Sequence, residues 1–296
     1  MEAAASRREF LAAGASVAVP VAARAVGTGD VSARTGLLAG KVAVIYGAAG
    51  AIGSSVSRAF AREGAQLFLA GRTPEKVQAL AQELTQAGGN AISAGVDALD
   101  RDAVEKHLVE VLRQAGRVDI SFNLIGLGGD QGTSLTKMTR EAFAVSIDNA
   151  MRTHFLTATA AARHMEARGS GVILALTAQV ARKPYVGSGG FGVACAAIES
   201  LCRQLAIELG PRGIRVVTLR SSGSPDSPGV LAAVAEHARA AGVTREAFEA
   251  RIAEKTMLKR MPKMAEIANA AVLMASDRAS SMTAAVLNAT CGEIAD

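Results

Sequence analysis

Tryptophan is absent from this sequence, and tyrosine occurs only at Tyr46 and Tyr185. A phenolic acid or base can therefore come from two positions only. There is no basic run and no basic patch interleaved with aromatics, so the formal charge of +5 leaves no nucleic-acid footprint and no such partner is expected. Cysteine is scarce as well: Cys195, Cys202 and Cys291. Cys195 and Cys202 are seven positions apart in a helical pattern, roughly 10 Å along its axis, which is too far for a disulfide. No CxxC or Cys/His cluster has metal-ligand spacing, so no metal is expected. Cys202 and Cys291 read as small buried hydrophobes.

What is abundant is small and apolar. Half of the 296 residues are hydrophobic, mostly alanine, valine and leucine, with 30 glycines. That composition suits one large core with close helix–sheet packing. The first 25 residues stand apart. Ser6-Arg7-Arg8-Glu9-Phe10-Leu11 resembles a twin-arginine export motif, an apolar stretch runs from Leu11 to Ala22, and Ala23-Arg24-Ala25 reads as a cleavage site. The alternative is a disordered extension. The apolar stretch is short and broken by Pro20, so no stable membrane insertion is expected. Residues 26–37 read as a linker, and 38–296 as the folded domain. The export reading places the protein outside the cytoplasm; without it the protein is cytoplasmic.

From Leu38 onward strand and helix signals alternate. Strands are read over Lys41–Tyr46, Gln66–Ala70, Asn90–Val96, Val118–Ile125, Gly171–Leu176, Ile214–Leu219 and Ala285–Asn288. Helices are read over Ile52–Glu63, Pro74–Ala87, Arg101–Ala115, Arg140–Glu166, Phe191–Leu209 and Ala265–Ala275. Thr73 before Pro74 marks a cap followed by an N1 proline. Ser221–Met261 is an insertion of mixed composition. The alternation predicts a doubly wound, mostly parallel sheet of Rossmann type, three layers α/β/α in a single domain.

The first strand runs into Gly47-Ala48-Ala49-Gly50-Ala51-Ile52-Gly53 and then a helix. A tight turn after a parallel strand needs glycine. Close approach of a pyrophosphate to backbone N–H groups needs small residues, and the helix that follows presents its positive end. In that context the cluster is a strong dinucleotide signal; alone it would be a structural turn. The turn resembles the Gly-x-x-x-Gly-x-Gly of the short-chain dehydrogenase/reductase family, with Ala51 at the middle glycine. Asp97 looks like that family's adenine-edge aspartate. Asn123-Leu124-Ile125-Gly126 is similar to its Asn-Asn-Ala-Gly, and Ser222-Gly223 to its Pro-Gly, where only Gly223 persists. The resemblance covers about residues 38–293. It implies cofactor contacts from Gly47, Ala49, Gly50, Ala51, Ile52, Gly53, Arg72, Asp97, Asn123, Gly126 and Gly223. NAD-preferring sites place an acid after the second strand. Gly71 stands there instead, followed by Arg72, whose guanidinium suits a 2′-phosphate. NADP(H) is therefore expected over NAD(H); the alternative for Arg72 is a solvated loop arginine.

In the family a Ser, a Tyr-x-x-x-Lys and a helical Asn carry the chemistry. Counting inward from the flanking elements puts Ala178 at the Ser, Phe191 at the Tyr and Cys195 at the Lys. The hydroxyl, the phenol and the permanent cation are all gone. General acid–base catalysis contributes roughly 10²–10⁴-fold, so ordinary carbonyl reduction should be crippled. Tyr185, Thr177 and Asn149 are the substitute candidates, with Lys183 placed to raise the acidity of Tyr185. Ser188 is a further hydroxyl, Cys195 is a candidate for a lowered pKa near a helix start, and pocket lining is the alternative for each. His154, alone on its helix, reads as structural. Arg239, Arg245 and Arg251 read as solvated faces before they read as an anion site. Three functions remain open: an oxidoreductase acting on a small organic substrate with a non-standard site, an inactive NADP(H)-binding sensor or oligomer partner, and a non-redox lyase or isomerase. The resemblance also implies a homodimer or homotetramer through the alanine-rich helices that hold Asn149 and Phe191.

Overall fold

Five residues, Val42–Tyr46 (β1), show how the core is assembled. Val42, Val44 and Tyr46 point into one buried cluster, and Ala43 and Ile45 into another on the opposite face. A strand buried on both faces reads as a continuous apolar run, as expected where helices cover both sides of a parallel sheet. The computed structural model describes residues 36–296. The export-signal reading of residues 1–25 and most of the linker lie outside the described residues.

After β1 come α1 (Ala51–Arg62), β2 (Gln66–Gly71), α2 (Pro74–Gln86), β3 (Asn90–Gly95), α3 (Arg101–Ala115) and β4 (Ile120–Asn123). Then follow α4 (Arg140–Glu166), β5 (Gly171–Ala178), α5 (Gly189–Leu209), β6 (Ile214–Ser221), α6 (Pro228–Ala240), α7 (Arg245–Glu254), α8 (Met264–Ala275) and β7 (Ala285–Ala289). All neighbouring strands are parallel, in the order β3-β2-β1-β4-β5-β6-β7. Helices α3, α4 and α5 bury their apolar faces on one side of the sheet, and α1, α2 and α8 on the other. This is a three-layer Rossmann domain. The chain reverses direction across the sheet between β1 and β4, which opens a crevice at their carboxyl ends, the place where such sheets bind ligands.

Local signals account for most of the boundaries. Asp100 caps α3 by accepting from the Asp102 and Ala103 N–H groups, and Gly116 ends it at φ 71°. Thr139 caps α4 through the Ala142 N–H. Thr73 departs from expectation: its side chain makes no capping bond, and its carbonyl oxygen accepts from the Lys76 and Val77 N–H groups instead. Helix α5 begins at Gly189, two positions before the expected start, and the insertion folds as α6 and α7. Together with the short turn after it, α5 is long and apolar enough to cross a bilayer by length and composition. In the fold it packs against α4, β5 and β6.

After β7 the chain returns over the strand ends. The Asn288 side-chain amide donates to the Ile294 carbonyl at 2.8 Å, and the Ser222 hydroxyl donates to the Glu293 carboxylate at 2.8 Å. The N–H groups of Met257 and Leu258 donate to the Gly292 and Cys291 carbonyls. This C-terminal tail packs against the ends of β6 and β7 and the segment after α7.

Candidate active site

A cavity of about 360 Å³ lies at the β1–β4 crevice. Its floor is the β1–α1 turn, with Gly47, Ala49 and Gly50. Gly47 sits at φ 73°, and a Cβ there would stand 2.7 Å from the Leu124 carbonyl oxygen at the end of β4. A Cβ on Gly53 would fall 2.2 Å from the Gly47 carbonyl oxygen. Both glycines are required by backbone packing. Gly53 shapes the turn from beneath, and a Cβ on Gly50 would stand 3.3 Å from the Gly47 carbonyl oxygen, whereas Gly126 faces open space. No acidic residue occupies the first turn of α1, so its positive end is left free for an anion. Arg72, Thr73 and Lys76 form one end of the cavity, with Asp97, Ala98 and Leu99 beside them. Gly126, Asn149 and Thr153 form the other. A cradle of close backbone, a bare helix N-terminus and two cations at one end fit an extended dinucleotide phosphate. Asn123 supports the crevice without lining it: its side-chain Oδ1 accepts from the Ile125 N–H at 3.0 Å, and its side-chain amide Nδ2 donates to the Thr157 hydroxyl at 3.2 Å.

A second cluster stands where β5 meets α5. Register pairs Thr177 with Arg220 and Ala178 with Ser221. Thr177 is buried and donates to Glu199 Oε1 at 3.1 Å. Glu199 lies one helical turn beyond Cys195 and accepts twice from the Arg220 guanidinium, at 2.8 Å from both Nε and Nη2. Arg220 Nη1 donates to the Asp296 carboxylate in the C-terminal tail. The Cys195 thiol is buried and its pKa is pushed up to about 11, chiefly by that burial, with a hydrogen bond to the Ala178 backbone pulling the other way. Tyr185 is half-exposed. Its hydroxyl donates to Gln131 Oε1 at 3.0 Å, and burial, with Cys195 and Glu293 in electrostatic reach, raises its pKa.

Residues 47–293 match the family model described as enoyl-(acyl carrier protein) reductase. The chain belongs to the short-chain dehydrogenase/reductase family. It is 30% identical over 261 residues to an uncharacterised oxidoreductase of Methylorubrum extorquens, covering 86% of this chain and 98% of that one. It is 27% identical over 258 residues to the 7alpha-hydroxysteroid dehydrogenase of Escherichia coli K12, covering 87% and 95%. The NADH-complexed 3-ketoacyl-(acyl-carrier-protein) reductase of Brucella melitensis superposes with a TM-score of 0.75 at 25% identity, over 86% of this chain and 99% of that one. Members of the family are oxidoreductases that use NAD or NADP, and this short-chain dehydrogenase/reductase has the corresponding broad class of chemistry.

Several expectations change once the geometry is known. Gly223 does not line the cavity; its Cα faces Val230. Ala51 and Ile52 open α1 and Gly53 lies under the turn, so none of the three lines the cavity. Cys195 is no low-pKa thiol: it is the seventh residue of α5, beyond the first turn where the helix field acts, and it is buried and neutral at neutral pH. Lys183 does not acidify Tyr185; its ammonium donates to the Glu293 carbonyl at 3.2 Å. Cys291 is half-buried at φ 54° and not part of the core. Arg239, Arg245 and Arg251 are exposed, in agreement with the solvated-face reading, and Arg245 pairs with Glu246 and Glu249 on its own helix. Asn149 does line the cavity, and its amide donates to the Leu127 carbonyl at 3.0 Å. Ser188 is the residue before α5 and makes no side-chain cap. Lys76, Leu99 and the Glu199–Arg220 pair went unrecognised in the sequence. A lysine four positions after Arg72 on the next helix was the only available hint of the first.

Proposed function

We propose that this protein is an NADP(H)-preferring oxidoreductase that moves hydride to or from a small organic substrate without the family's Ser, Tyr and Lys. The observation that carries this reading is the cation pair Arg72 and Lys76 at one end of an intact dinucleotide cavity, with Gly71 where an acid would select NAD(H). When bound, the nicotinamide supplies or accepts the hydride. The β1–α1 turn binds the phosphates, and Asn149 fixes the Leu127 carbonyl beside the cavity. Ala178 and Phe191 carry no titratable proton, and the Cys195 thiol keeps its proton but is buried. Tyr185, kept protonated by its raised pKa, holds the available phenolic proton at Oη.

Titration of the full chain with NADPH and NADH tests the reading. Arg72→Ala should weaken NADPH binding by about tenfold or more, the loss of a charge-assisted fork, and leave NADH unchanged. Equal weakening of both cofactors, or of neither, would remove the preference.

The missing residues favour a second reading, a cofactor-binding protein without turnover, and a non-redox lyase or isomerase is the third. A panel of carbonyl, enone and imine substrates separates them. NADPH oxidation that depends on substrate and falls by about 10²-fold in Tyr185→Phe supports the first and gives Tyr185 the proton. Tight NADPH binding with no oxidation on the panel supports the second. Conversion of substrate without oxidation supports the third.

We also propose a homodimer or homotetramer, for which Phe155 on α4 and Val193 and Ile207 on α5 provide exposed apolar side chains. Our reading includes no nucleic-acid partner and no stable membrane insertion. It includes export of the folded, cofactor-loaded domain by the twin-arginine route.

A further inference from the structure

We propose that Arg220 is a recognition group for a carboxylate on the substrate, and that Asp296 occupies its outer face as an intramolecular stand-in. The inference rests on reading the β5–α5 junction as the substrate side of an oxidoreductase.

Arg220 is one of the largest fully buried side chains in the fold, with 2% of its side chain exposed. A guanidinium in that position needs a counter-charge, and Glu199, 5% exposed, supplies it through two parallel bonds. Neutrality is complete at that point. Asp296 is nevertheless set on Nη1, so two carboxylates share one cation. Among the described residues neither carboxylate forms an ion pair with another cation. Glu199 is locked in place, because Thr177 also donates to it and it is buried in α5. Asp296 differs in each respect: it lies in the tail, its side chain is 40% exposed, and it touches only the outward edge of the guanidinium. It is the exchangeable partner.

The location ties this edge to the chemistry. Arg220 pairs in register with Thr177, the neighbour of Ala178, and Glu199 is one turn from Cys195. The guanidinium therefore lies beside two of the three positions whose family side chains are missing. An incoming carboxylate that displaced Asp296 would keep the local charge unchanged and inherit a desolvated, pre-aimed donor. Displacement leaves in place the tail's own anchors, the Ser222–Glu293, Lys183–Glu293 and Asn288–Ile294 hydrogen bonds. Those lie up to three residues before Asp296, so its side chain can swing away while the anchors hold.

The test is calorimetric titration of the full chain with succinate and with the neutral analogue succinamide. A tethered carboxylate competes at an effective concentration of about millimolar or above, so its removal should raise apparent affinity. Asp296→Ala is expected to bind succinate about tenfold or more tightly than the unsubstituted protein, and succinamide no better. Adding the paired substitutions Glu199→Met and Arg220→Met, which remove the charges together, should abolish the gain. The proposal is overturned by equal succinate binding with and without Asp296, by succinate and succinamide behaving alike, by a gain that survives the loss of Arg220, or by no succinate binding in either protein. NADPH is titrated in parallel. Intact NADPH binding with no succinate gain sinks the carboxylate site alone; a succinate gain without NADPH binding sinks the oxidoreductase reading alone.

Discussion

Moving from pH about 8 to about 5 is expected to cost the fold about 4 kcal/mol, and two buried histidines are the reason. His107 on α3 and His154 on α4 are 7% and 4% exposed. Burial pushes both pKa values down from 6.5 to about 4; for His154 the Ala150 carbonyl, 2.9 Å from Nδ1, works in the opposite direction. Neither ring can accommodate a second proton easily. His154 Nε2 and His107 Nδ1 find no hydrogen-bond partner among the described residues, and His107 packs edge-on against the Tyr46 ring. Between pH 6.5 and 4 the unfolded chain binds protons that the folded chain refuses, so stability is full above the upper value and falls as pH drops through the window. At pH about 5 each histidine accounts for about 2 kcal/mol. Carboxylates held low by partners, such as Glu266, pushed to about 2 beside Arg260, contribute their loss only at lower pH. Urea unfolding at the two pH values measures the difference, and His154→Gln should remove about half of it. Equal stability at both values would show that the rings are hydrated or protonated in the fold.

The fold was legible because its signals are local. Alternating apolar strands and capped amphipathic helices repeat from Leu38 onward, and each needs only its own few residues to be read. The dinucleotide turn was legible for the same reason: the positive φ of Gly47 and the close approach of Gly53 to the Gly47 carbonyl belong to one strand–turn–helix unit, although the Gly47 Cα also faces Leu124 beyond β4. What escaped is tertiary. Arg220 stands inside a strand that otherwise reads as core, and Glu199 inside an apolar helix, so each alone looks like a flaw in a pattern. Their pairing spans 21 positions and the Asp296 contact spans 76, separations with no sequence signature. The state of the Cys195 thiol is not legible in the sequence, because distance from a helix start depends on where the helix begins, and Gly189-Gly190 mask the first turn. Gly223 matches a family position, yet the chain around it turns toward α6, and a Cβ there would meet Val230.

The buried pair yields the second large expectation. Arg220→Met should destabilise the protein by about 3–5 kcal/mol, because it leaves Glu199 charged, desolvated and without its cation. The hydrogen bond from Thr177 remains but cannot replace two charge-assisted ones. Removing the carboxylate at the same time should reverse most of the loss. In Glu199→Met/Arg220→Met the helix–strand contact becomes apolar and well filled, and exchanging a buried ion pair for hydrophobes is often neutral or stabilising. The coupling between the two sites, read by a double-mutant cycle in urea, should then approach the sum of the two single losses. Asp296→Ala, on an exposed side chain, should move stability by about 1 kcal/mol or less. A double mutant as unstable as the single would mean that the pair fixes the β6–α5 packing itself. Full recovery would mean that the fold does not need the charges, which leaves ligand recognition at the β5–α5 junction as the reason for a buried arginine in β6.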